Sequence, residues 1–137
     1  MRAKRALVVA AAITVMLLCS CLNGTAQNGL ELNKEKSRFD NFSVISNMVY
    51  MDCFLTIDNK GDEDVTVKIS ASSQKDVSAG LLKCADMCGF DEKLVSDTFV
   101  LSSGENSLVV VFEGEFGGTE QKKDRLLPED IQIEVVS

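Results

Sequence analysis

The sequence predicts an all-β fold, an antiparallel β-sandwich of about six to seven short strands with one short helical connection. Three observations carry this. Apolar residues recur at period two in several segments. Clusters of Gly, Asn, Asp and Ser separate those segments. Almost no stretch holds a long helical period.

Taken in order, Leu30 to Asn33 and Phe42 to Ser46 can each supply a short strand. The run from Val49 to Ile57 is clearer, because Val49, Met51, Cys53, Leu55 and Ile57 fall on one face and Tyr50 and Phe54 on the other. With apolar groups on both faces, it reads as a central strand. Asp58 to Asp64 is a polar turn, and Val65, Val67, Ile69 and Ala71 then alternate with polar residues. The two runs read together as a β-hairpin. Further strands are expected from Asp97 to Leu101, from Leu108 to Phe112 with an extension through Gly114 and Phe116, and from Ile131 to Val135. Between Lys75 and Glu92, Leu81, Cys84, Ala85 and Cys88 stand at helical spacing with Gly89 as a stop, so a helical turn or two is expected there. Gly114 to Pro128 is a long polar connection, and Pro128 is the only proline of the chain.

The N-terminus predicts export. Arg2, Lys4 and Arg5 precede an uncharged apolar run from Ala6 to Leu18, the basic and hydrophobic regions of a secretory signal. The run is short for a membrane span, which needs about 20 apolar residues. At its end, Leu18-Cys19-Ser20-Cys21 resembles the lipobox of bacterial lipoproteins, with Leu18 and Ser20 matching and Cys19 departing at the middle position. The resemblance implies cleavage before Cys21 and a lipid anchor on it, hence an extracytoplasmic protein held at the cell membrane. Secretion after cleavage following Ala26, beside the small residues Gly24 and Thr25, is the alternative. The expected organisation is a signal peptide over 1–20, a flexible tether over 21–29 and one β domain over 30–137. A strand ending at an Asn-x-Gly turn, Asn59-Lys60-Gly61, followed by Val65-Thr66-Val67, is similar to small bacterial immunoglobulin-like and fibronectin-type domains. That likeness implies an immunoglobulin-like sandwich and transfers no active residue.

Composition narrows the function classes. Without the three basic leader residues, 11 Lys and Arg face 21 Asp and Glu, an excess of 10 negative charges. Such a surface repels phosphate backbones, so nucleic acid is not an expected partner. The chain has no histidine, which removes Ser-His-Asp and Cys-His pairs and His-based metal sites. No cofactor and no catalytic constellation are expected. The leading expectation is a non-catalytic binding module whose ligand is a protein, an envelope component or a small molecule.

Two groups of residues are candidates for chemistry. Cys53, Cys84 and Cys88 can form one disulfide and leave one thiol, stay buried and unpaired, or offer sulfur to a soft metal such as Cu(I). An extracytoplasmic copper or thiol-redox protein is thus the rival reading. Cys84 and Cys88 are one residue too far apart for a Cys-x-x-Cys redox motif. Lys122, Lys123 and Arg125 form the basic cluster of an otherwise acidic domain, the first place to expect a ligand contact, with a solvated loop as the plain alternative. The acidic turn Asp58 to Asp64 lacks the ordered spacing of a calcium loop. Asp91-Glu92 and Glu129-Asp130 are adjacent in sequence and point to opposite faces of a strand, so neither forms an acid/base pair.

Overall fold

The computed structural model describes residues 29–120 and 126–136. The expected signal peptide, Cys21 and nearly all of the expected tether lie outside the described residues, as do Lys122, Lys123 and Arg125. The elements run β1 (Leu30–Leu32), β2 (Arg38–Ile45), β3 (Met48–Asn59), β4 (Val65–Ser72), α1 (Gln74–Ser78), β5 (Asp86–Phe90), β6 (Phe99–Leu101), β7 (Gly104–Glu115) and β8 (Asp130–Val135). Every strand pairing is antiparallel. The expected all-β class is what the chain adopts.

The strands form one eight-stranded sheet that curls almost into a barrel. β1 and β2 share one edge of β3, and β7 takes the other. β5 joins β7 to β4, β6 continues along the β5 side of β4, and β8 pairs with the opposite edge of β4. β2 and β8 are thus the two ends of the curled sheet.

The interior lies inside the curl. Val49, Met51, Cys53, Leu55 and Ile57 of β3 are all buried, with Val67, Ile69 and Ala71 of β4 and Val110 and Phe112 of β7. Those of β3 and β4 are the inward positions that the period-two alternation predicted. Burial at about 25 cal/mol per Å² of apolar surface makes this set the main source of stability.

The predicted hairpin does not form. β3 pairs with β1, β2 and β7, whereas β4 pairs with β5, β6 and β8. Alternation settles which side chains face inward and says nothing about the neighbouring strand. The connection is instead folded to carry the chain across the interior. Buried Asn59 donates its amide to the Glu63 carbonyl at 2.8 Å and the Leu101 carbonyl at 3.2 Å, and its Oδ1 accepts from Gly61 N at 3.0 Å. Lys60 N donates to the Gly29 carbonyl at 2.8 Å. The true hairpin is β2–β3, closed by Ser46 and Asn47 at φ 51° and 66°, as a two-residue turn with positive φ at both centres requires.

The expected short helical connection does form at the start of the Lys75 to Glu92 segment, as α1, but the residues expected to define it lie beyond it. α1 covers five residues, and Cys88 and Gly89 lie in β5 instead of on a helix. Leu81 and Leu82 are buried, while Cys84 and Cys88 are exposed, so the spacing of Leu81, Cys84 and Cys88 marks no common buried stripe. Gly89 is not a helix stop. A Cβ there would meet the Ile69 carbonyl oxygen at 2.4 Å, so glycine is what lets β5 bridge β4 and β7.

Candidate functional site

The ends of the curled sheet leave a seam between β2 and β8. On the β2 bank, Phe39, Phe42 and Val44 stand opposite Cys53, Met51 and Val49 and so face the interior. A bulge at Asp40 between Phe39 and Asn41 keeps Phe39 and Phe42 on one face despite their spacing of three. On the β8 bank, Ile131, Ile133 and Val135 face inward opposite Ala71, Ile69 and Val67. Ile133 is buried, yet Phe39, Phe42, Val44, Ile131 and Val135 are only partly covered. All five pack against the core, and Phe39 and Ile131 also line a groove.

A groove of roughly 410 Å³ opens at one end of this seam, walled by Leu32 to Phe39 on one side and by Leu126 to Ile131 on the other. The first wall is held rigidly. Ser37, itself buried, donates its hydroxyl to the Asn33 carbonyl at 2.6 Å and accepts from Thr56 N at 2.9 Å. Asn33 N donates to the Thr56 carbonyl at 2.8 Å, and Asn33 Oδ1 accepts from Lys36 N at 3.1 Å. The second wall is anchored where Glu129 accepts from Lys75 N at 3.2 Å. Leu32, Phe39, Leu127 and Ile131 give the groove an apolar lining, with Lys34, Arg38 and Glu129 as its charges. Arg38 lies over the ring of its cross-strand neighbour Phe54, 4.3 Å from its centroid, in a cation–π contact.

A second, more open depression of roughly 340 Å³ lies on the outer face of the sheet, among Ser43, Ile45, Tyr50, Asp52, Glu92, Leu94 and Val111. Its charge is opposite. Burial, and then the neighbouring Asp40 and Glu92 carboxylates, raise the pKa of Asp52 above the ordinary carboxylate value. Beside it, the Asp91 carboxylate accepts from Val95 N at 2.8 Å, which lowers its pKa and folds the loop that presents Leu94.

Of the arrangements open to the three cysteines, the structure shows free thiols. Cys53 sits in the core as a free thiol, and burial pushes it up to about 12. Cys84 and Cys88 are free and exposed. Among the described residues no group of three or more His, Cys, Asp and Glu is placed to hold a metal ion. The basic cluster Lys122, Lys123 and Arg125 immediately precedes Leu126 of the groove wall in sequence, outside the described residues.

Sequence reasoning missed the groove itself. Its residues come from two segments about ninety positions apart, and each is unremarkable alone. The available signal was the pair of aromatic residues Phe39 and Phe42 at the start of the predicted second strand, hidden by the bulge between them. No protein-family model matches the sequence, and no curated protein or solved structure is similar enough to it to be matched.

Proposed function

We propose that the chain is a non-catalytic interaction module, displayed outside the cell on a lipid anchor at Cys21, that takes its ligand in the seam between β2 and β8. The curled sheet is read as an opened relative of the immunoglobulin-like sandwich, with binding moved from the loops to the unclosed side. The observation that carries the reading is the half-covered apolar set on both banks, Phe39, Phe42 and Val44 of β2 and Ile131 and Val135 of β8, with Phe39 and Ile131 lining one groove. Folding leaves that surface partly in water, and a ligand filling the seam removes it, at about 25 cal/mol per Å² buried. Binding in place of catalysis is supported by a sequence without histidine and by an interior thiol held protonated.

Two measurements test this. The intact mass of the native protein is expected to show a diacylglyceryl-modified N-terminal Cys21; an unmodified terminus or an uncleaved leader rejects the anchor. A mixed library of small fragments and unbiased heptapeptides titrated into isotope-labelled mature protein is expected to give saturable amide shifts centred on residues 32–39 and 127–135. Ligands that shift other surfaces, or none at all, reject the seam as the site.

A further inference from the structure

The backbone of β8 shows what kind of ligand its edge is built to take. Val136 N donates to the Thr66 carbonyl at 2.8 Å, so Thr66 and Val136 are a hydrogen-bonded pair of the β4–β8 ladder. Bonded and non-bonded pairs alternate along an antiparallel ladder. The register Lys68↔Glu134, Ser70↔Gln132 and Ser72↔Asp130 therefore directs the peptide groups of Glu134, Gln132 and Asp130 to β4. The N–H and C=O groups of Ile131, Ile133 and Val135 point the other way, into the seam. There β8 has no further strand partner among the described residues. An edge row of this kind is a template for another strand.

Side chains set the chemistry of that strand. Ile131, Ile133 and Val135 line the inner face of β8, and Asp130, Gln132 and Glu134 are exposed on its outer face. A strand laid alongside puts alternate residues on the same two faces. Its inner residues must be apolar, and its outer ones come beside Asp130 and Glu134, where cations are favoured and anions repelled. A second copy of this chain is disfavoured on that ground. Two β8 strands running antiparallel about Gln132 set Asp130 against Glu134 at both ends, within molecules that already repel through their acidic surfaces. Lys34 and Arg38 stand on the opposite wall near Ile131, so an acidic group is accommodated only at that end.

Resting on the seam being the ligand site, we infer that its occupant is an extended segment of another protein, alternating apolar and basic residues, which adds to β8 as a further strand. From Ile131 to Val135 the edge is about 13 Å long, the reach of five to seven residues. The added strand bonds to the peptide groups of Ile131, Ile133 and Val135 and covers the Ile131 and Val135 side chains from the open side.

The test is an end-blocked heptapeptide, Lys-Val-Lys-Val-Lys-Val-Lys, titrated into the isotope-labelled mature protein. Binding is expected to slow hydrogen exchange at the amides of Ile131, Ile133 and Val135. The counterpart with Glu in place of Lys is expected to bind about tenfold more weakly or worse, and Asp130→Lys with Glu134→Lys to reverse that preference. Protection of the Gln132 and Glu134 amides shows that the double variant keeps its β4–β8 ladder. N-methylation of one alternate set of peptide amides should abolish binding while the other set tolerates it. Equal tolerance of both sets, no protection at the three amides, or self-association through β8 overturns the inference. If fragments or other peptides occupy the seam while this heptapeptide does not, strand addition fails alone. If nothing occupies the seam, the functional reading fails with it.

Discussion

β3 and β8 are built from the same kind of alternating sequence and end in opposite circumstances. β3 pairs with β7 along twelve residues, from Met48↔Glu115 to Asn59↔Gly104, and with β1 and β2 along its other edge. β8 has β4 on one edge and the seam on the other. The inward residues of β3 are sealed on both sides, whereas Ile131 and Val135 of β8 are sealed on one. The difference teaches that inward orientation and burial are separate properties. A side chain can face the core and still be available to a ligand when the next strand is missing.

The largest test of this contrast is truncation on each side. Leu55→Ala, within the sealed region, is expected to cost about 3–4 kcal/mol, since a well-packed site collapses poorly around the lost atoms. Ile131→Ala should cost about 1 kcal/mol, because part of its surface is already in water. Urea unfolding measures both, and equal losses would show that the seam is as closed as the β3–β7 side.

A smaller loss is expected at the polar end of β3. Asn59→Ala leaves the Leu101 and Glu63 carbonyls and the Gly61 amide without their partner, for about 2 kcal/mol. Gln132→Ala on exposed β8 should stay within about 0.5 kcal/mol. A comparable loss at Gln132 would mean that its side chain holds the seam in shape.

Smaller again is the effect of charge on the outer face. The Asp52 carboxyl has a raised pKa in the folded chain, so the native state binds its proton more tightly than the unfolded one. Charged Asp52 therefore subtracts stability at neutral pH, and the subtraction fades as pH falls through that raised value. Asp52→Asn should raise the thermal midpoint at neutral pH and lose the advantage in the acid range, near the ordinary carboxylate value of about 4. An advantage independent of pH would trace the gain to packing instead. Asp91 runs the opposite way: its lowered pKa makes it a stabilising charge that is lost on acidification.

Thiol reactivity sharpens the comparison without perturbing the fold. Cys84 and Cys88 are expected to react with an alkylating reagent in the native protein, and Cys53 only as fast as the β3–β7 region opens. Mass spectrometry of timed samples resolves the three. Rapid native alkylation of Cys53 would show that the seam admits reagent to the core.

Much of the fold was legible. The inward faces of β3 and β4 follow from strict alternation of small and branched apolar residues with polar ones, and β7 from its β-branched run. β2 was legible only from Phe42 onward, because the bulge at Asp40 breaks the period between Phe39 and Phe42. The segment from Leu81 to Cys88 misled because Leu, Cys and Cys at helical spacing satisfy a periodicity count whether or not they share a buried face. Of the candidate site, Cys53 was correctly placed facing inward, while the groove was invisible.

By itself the sequence determined the all-β class, the inward residues of β3 and β4, the acidic balance and the absence of histidine, since these depend on composition and on a local period of two. Tertiary structure alone decided which strands are neighbours. Asn59 turns the chain across the interior and defeats the hairpin, Gly89 lets β5 bridge β7 and β4, and β2 and β8 end the sheet formed by the described residues. The physical reason is that backbone hydrogen bonds carry no side-chain identity. Any two alternating strands can pair, and the choice falls to turns, close approaches and the packing of the whole curl.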